Sequence, residues 1–182
     1  AGRSWRNGSR PSLFSQNISN EGTEFWTVFP THDPSRENAN IRYANLTVYI
    51  TSKVESEVTV TCGGWSSGRV RIPPNDAIPV LVNRNNSYIE GAESNRVLSD
   101  RAIRIKVTEG KGKVAVYTHI WAGFRSAASL ILPLESLGQK YHSMNYTQDQ
   151  GGHNFLVLTA TEPNTELLIH HGGQPIAVKL EK

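Results

Sequence analysis

The side chains able to do chemistry in this chain are few, and their spacing converges on no reaction. Histidine stands at His32, His119, His142, His153, His170 and His171. A zinc site needs three or four ligands meeting one ion at about 2.0–2.3 Å. Neither His-x-His nor H-E-x-x-H spacing occurs. His170 and His171 are adjacent, and on a strand adjacent side chains leave opposite faces, so the two cannot chelate one ion without distortion. Acyl transfer needs a nucleophile, a base and a group orienting the base. Ser66, Ser67 and Ser129 are available, but no G-x-S-x-G turn presents any of them. Sugar cleavage needs paired carboxylates. Glu90, Glu93 and Asp100 share one polar stretch that reads as a solvated loop. Asp33 and Glu37 share another, where a calcium loop would require more oxygens at regular spacing. No catalytic residue, metal or cofactor is therefore expected, and a hydrolase is the least favoured reading.

Contact and modification chemistry is better represented. Trp65 lies in Gly63-Gly64-Trp65-Ser66-Ser67-Gly68, which reads as a long hairpin tip. A tryptophan there offers a platform for a sugar ring or a protein partner. Trp26 and Trp121 read as core or near-core residues, and Trp5 belongs to the arm. Asn-x-Ser/Thr occurs at Asn7, Asn17, Asn45, Asn85 and Asn145, in modest excess over chance, which points to a glycosylated, secreted chain. Cys62 is the only cysteine. No disulfide can form within the chain, and the position of Cys62 at the end of the alternating run EVTVTC predicts a buried thiol. The net charge of +3 is mild, with Lys and Arg scattered among apolar residues. A nucleic-acid footprint would be clustered and stronger. No stretch reaches the ~18 apolar residues of a membrane span. No leader segment is visible, and a chain beginning Ala-Gly-Arg rather than Met reads as a processed product or a recombinant piece.

The elements that must position these residues are strands. The longest apolar run, Lys113 to Tyr141, predicts a strand over Val114–Trp121, a turn at Ala122-Gly123-Phe124 and a second strand over Ala127–Leu132, stopped by Pro133. Val114, Val116, Thr118 and Ile120 share one side of the first strand; Ala115, Tyr117, His119 and Trp121 share the other. Bulk on both sides places it inside a sheet, partly covered on both faces. Further strands are predicted at Glu24–Phe29, Leu46–Thr51, Glu57–Cys62, Arg69–Ile72, Ala77–Asn83 and Arg101–Thr108. Pro79 marks Ala77–Asn83 as an edge or a bulge. After Gly138 the pattern predicts Lys140–Asn145, Phe155–Thr161, Thr165–His171 and Pro175–Leu180. No ten-residue window has a helical period. The expected class is all-β: an antiparallel β-sandwich. At 182 residues it should bury about 70% of the surface its unfolded form exposes, which needs no disulfide.

The sequence strand, turn, strand, Gly-Gly, strand occurs twice, once over 46–72 and again over 155–180. This divides the chain into an irregular arm at 1–22 with a short strand around Ser12–Phe14, a main sandwich unit at 23–146, and the start of a second related β-unit at 147–182 packed on the first. A second unit ending at Lys182 would leave an edge or an apolar face for another segment or chain to cover.

Gly22-Thr23-Glu24-Phe25 through Phe29, LTVYITS, EVTVTCGGW, RAIRIKVTEGKGKVAVYTHIWAGFRSAASLILPLESLGQKYHSM and HNFLVLTA together resemble the IgGFc-binding protein N-terminal domain family. The likeness runs from about Gly22 to Leu180 and includes a Pro-x-x-x-Leu-Gly-x-x-Tyr segment at Pro133, Leu137, Gly138 and Tyr141. The resemblance implies an extracellular β-sandwich module of a large multi-domain protein of mucus, matrix or cell surface. It carries over no residue set for antibody binding. The expected function is a secreted, glycosylated, non-catalytic module with a structural, matrix or adhesive role. Its partners would be other extracellular proteins or glycans, with self-association or a neighbouring segment completing the sheet. The alternative is a carbohydrate-binding domain using Trp65.

Overall fold

In a computed structural model the described residues are 19–30, 45–90, 93, 95–122, 125–144 and 154–180. Asn7, Asn17, Asn145, His32, His153, Asp33, Glu37, the arm strand around Ser12–Phe14 and the Gly123-Phe124 turn lie outside them. In chain order the elements are β1 (Glu21–Gly22), β2 (Glu24–Thr27), β3 (Phe29–Pro30), β4 (Asn45–Thr51), β5 (Ser56–Cys62), β6 (Trp65–Ile72), β7 (Ala77–Leu81), one helical turn α1 (Arg84–Ser87), β8 (Tyr88–Ile89), β9 (Ile103–Val107), β10 (Val114–Ala122), β11 (Arg125–Ile131), β12 (Thr165–Ile169) and β13 (Ile176–Leu180). A 3-10 turn at Leu134–Ser136 follows β11.

β10 is the central strand of the first sheet. On one edge it pairs antiparallel with β4, which pairs in turn with β7; its other edge is shared by β1 and β11. The second sheet runs β2-β9-β5-β6. The chain changes sheet between β4 and β5, between β6 and β7, and between β9 and β10, so the two sheets are laced into one all-β sandwich.

Alternation decides which side chains fill the space between them. Val48 and Ile50 of β4 and Val114 and Val116 of β10 face Phe25, Val58, Val60, Ile103 and Ile105 of the other sheet, all fully buried. Side chains of this kind contribute roughly 1.5–3 kcal/mol each when taken out of water. Buried hydroxyls in this layer have acceptors, as burial requires. Ser52 Oγ donates to Lys113 O at 2.7 Å and Ser56 Oγ to Gly112 O at 2.6 Å, which pins the turn between β9 and β10 to both sheets. Pro79 sits in edge strand β7, opposite Tyr49, where a missing N–H costs nothing.

Several expectations need correction. Glu24–Phe29 is not one strand: β2 pairs with β9, whereas β3 leaves to pair in parallel with β8. The Trp65 hairpin has no long tip. Gly63-Gly64 closes it, with Gly63 at φ +52°, and Trp65 already pairs with Cys62. Trp121 is not a core residue: its parity puts it on the outer face of the first sheet, because Val and Ile fill the inner one. Trp26 is likewise on the outer face of the second sheet, opposite Arg104. Residues 140–144 form no strand, and neither do 154–160, although Phe155, Val157 and Thr159 alternate as half-buried. β12 and β13 therefore form a two-stranded sheet rather than two strands of a three-stranded one.

Candidate binding groove

Each strand of the β12–β13 hairpin puts apolar residues on one face. The register joins Leu167 to Val178 and Ile169 to Ile176, so Leu167, Ile169, Val178 and Ile176 project together. Glu166, Leu168, Ala177 and Lys179 take the opposite face. The apolar face borders a groove of about 1020 Å³. Across it stand Trp26 and Val28 from the second sheet, Ile89 from β8, and Val97 and Leu98 from the segment before β9; Phe155 and Val157 also line it. Cys62 and Gly63 also line it.

Charged pairs hold the sandwich wall. Glu24 receives Arg104 through two hydrogen bonds, Nε to Oε1 at 2.9 Å and the second guanidinium nitrogen to Oε2 at 3.0 Å. Trp26 Nε1 donates to the same Oε1 at 3.0 Å, and the Arg104 guanidinium lies 5.5 Å from the Trp26 ring centroid. This bidentate pairing holds the Glu24 carboxyl below its ordinary range, against a smaller opposing effect of burial. It also fixes the indole at the groove wall. Arg101 bridges to Glu93 at 3.3 Å and to Asn85 O at 2.8 Å. Beside it a smaller cavity of about 430 Å³ is bordered by Arg84, Asn85, Tyr88, Glu90, Glu93, Arg96 and Arg101, with Arg84 stacked 5.4 Å from the Tyr88 ring centroid.

Cys62 is a free, buried thiol. Its Sγ is 3.3 Å from Asn86 O, 3.5 Å from Arg101 O and 3.6 Å from Asp100 O. Burial pushes its pKa from 9.0 to about 11, partly offset by Arg101. A thiol so protonated is no nucleophile at neutral pH; it ties the β8–β9 connection to the end of β5.

The remaining candidates are dispersed. His119 is on the outer face of the first sheet, its ring 6.2 Å from that of Tyr49, while His142, His170 and His171 are exposed. Among the described residues no three His, Cys, Asp or Glu side chains are grouped to hold a metal ion. Ser67 Oγ accepts from Val60 N and donates to Gly68 O, and Ser66 Oγ accepts from Gly68 N; both serve the irregular pairing of β5 with β6. Ser129 lies on β11. Glu93 enters the groove wall, and Asp100 contributes its backbone carbonyl to Cys62. Trp65 is half-buried and packs against the core. Asn45 and Asn85 are both exposed. Among the described residues no helix is long and apolar enough to cross a membrane.

The groove residues Val97, Leu98, Arg101 and Arg104 were not singled out from sequence. The available signal was the apolar pair Val97-Leu98 within the polar stretch SNRVLSD, which a solvated loop does not need. No protein-family model, no curated protein and no solved structure matches this chain.

Proposed function

We propose that the chain is a secreted, non-catalytic module of structural or adhesive type, and that it takes an extended, apolar segment of a partner protein into the groove beside β12–β13. The observation carrying this reading is the apolar face of the hairpin, set across an open groove from a wall that ion pairs hold in place. An isolated two-stranded sheet is marginally stable in water. A partner strand added to one of its outer edges would supply main-chain hydrogen bonds, while Leu167 and Val178 would take alternate side chains. The exposed Asn45 and Asn85 sequons support the secretory part.

Selection of peptides from a displayed library against the folded protein is the test. Enriched peptides should alternate apolar and polar residues, and Leu167→Asp should weaken their binding tenfold or more while leaving the unfolding curve of the sandwich unchanged. Peptides that bind Leu167→Asp as well as the parent chain would remove the groove from the account. A carbohydrate-binding role through Trp65 is the second reading. Trp65 is half-buried and keeps part of its surface in solvent, and loss of glycan-array signal in Trp65→Ala would favour this reading.

A further inference from the structure

The outer face of the first sheet carries aromatic residues that the sandwich does not use. Tyr117, His119 and Trp121 follow one another along β10, flanked by Tyr49 of β4 and Leu130 of β11. Trp121 is 43% exposed, Tyr117 40% and Leu130 46%. From Tyr117 to Trp121 the row spans roughly 13 Å, four residues at about 3.3 Å each. The outward positions paired across β4, β7, β10 and β11 include no Asp, Glu, Lys or Arg; Glu21 of β1, opposite Ala115, is the charged residue paired at the far end of this face. An exposed aromatic row of this kind offers a contact surface.

The register names the occupant. Asn45, the acceptor residue of Asn45-Leu46-Thr47, pairs directly with Trp121, and it is exposed. Directly paired residues leave the sheet on the same face with Cβ atoms about 4.5–5.5 Å apart. A sugar attached to Asn45 therefore begins beside the indole. A pyranose of the N-acetylglucosamine type has one face of C–H groups and hydroxyls around its rim, so it can cover an aromatic ring while remaining hydrated. No such aromatic lies in register with Asn85, which stands on the helical turn α1.

We propose that Asn45 carries an N-linked glycan whose first N-acetylglucosamine packs on Trp121 and whose next sugars lie over His119 and Tyr117. The glycan shields the outer face of the first sheet and leaves the groove as the open apolar surface. This rests on the secretory reading above.

The test is to secrete the chain from eukaryotic cells, map its glycopeptides, and record nuclear Overhauser contacts between sugar and indole protons. The expected result is an occupied Asn45 with contacts from the first sugar to Trp121. Enzymatic removal of the glycans should lower the melting temperature of the parent chain. In Trp121→Ser the same treatment should lower it much less, with the glycan at Asn85 as the internal reference. Asn85 occupied and Asn45 bare overturns this inference and leaves the secretory reading intact. No sequon occupied overturns both. Asn45 occupied without sugar–indole contacts also overturns the inference.

Discussion

Replacing Ile105 by alanine tests the sandwich at its most constrained point. Ile105 sits on β9 between Phe25 of β2 and Val60 of β5, and all three side chains are fully buried. Strands on both sides hold the β9 backbone, so the site cannot collapse around the lost atoms. Large-to-small changes of this kind cost about 2–5 kcal/mol, toward the upper part of the range where relaxation is blocked; about 3.5 kcal/mol is expected here. For a chain of this length each kcal/mol lowers the melting temperature by about 2–4 °C, so the midpoint should fall by roughly 7–14 °C. Urea unfolding followed by circular dichroism should show a lower midpoint at unchanged slope. Lys106→Ala, one residue along and on the opposite, exposed face, should stay within about 0.5 kcal/mol. A loss below about 1 kcal/mol for Ile105→Ala, or equal losses for both variants, would refute the assignment of the two faces of β9.

Other outcomes follow from single contacts. Glu24→Gln removes the charge from a pair whose Arg104 side chain is 37% exposed; allowing for that exposure, about 1 kcal/mol should be lost at pH 7. Because Arg104 lowers the folded-state pKa of Glu24 from its ordinary 4.5, this contribution is present above pH 4.5 and disappears as pH falls through the folded value. Parent and variant should therefore converge in acid unfolding titrations, and a constant gap down to the lowest pH would contradict the pairing. Cys62 should resist iodoacetamide at pH 8 in the native chain and react on unfolding. With its pKa raised from 9.0 to about 11, stability should hold below pH 9 and decline between pH 9 and 11; rapid native alkylation would exclude the buried site. Gly22→Ala would press a methyl group into Pro133 and bring it within 2.8 Å of Glu135 Oε1. The proline ring cannot swing away, so about 1–3 kcal/mol should be lost, and a neutral result by thermal unfolding would show that the β1 contact is loose.

The sequence made the sandwich legible because strict alternation and a one-sided core are the same fact seen twice. Val114-Ala115-Val116, Val58-Thr59-Val60 and Ile103-Arg104-Ile105 each put β-branched residues on one face, and those faces meet. Pro79 announced an edge strand or a bulge, and β7 is an edge strand; EVTVTC announced a buried Cys62. Legibility failed where alternation did not decide the outcome. FLVLTAT alternates well, yet 155–160 joins no β-ladder among the described residues, since a pattern states which side is covered and not whether a neighbour offers a ladder. Trp121 looked like core by size, but parity had already assigned it to the outer face. The groove was hidden because its walls come from Trp26, Val97, Leu98 and the hairpin, which lie far apart in sequence. No local window contains the ion pair from Glu24 to Arg104.

Hydrogen exchange on the complex with a selected peptide is the most direct measurement of the groove's role. Strand addition at the hairpin predicts that backbone amides along one outer edge of β12 or β13 slow their exchange when the peptide is present, while the outer face of the first sheet is unchanged. Protection confined to Tyr49, Tyr117 and their neighbours, with the hairpin amides exchanging as before, would contradict the account.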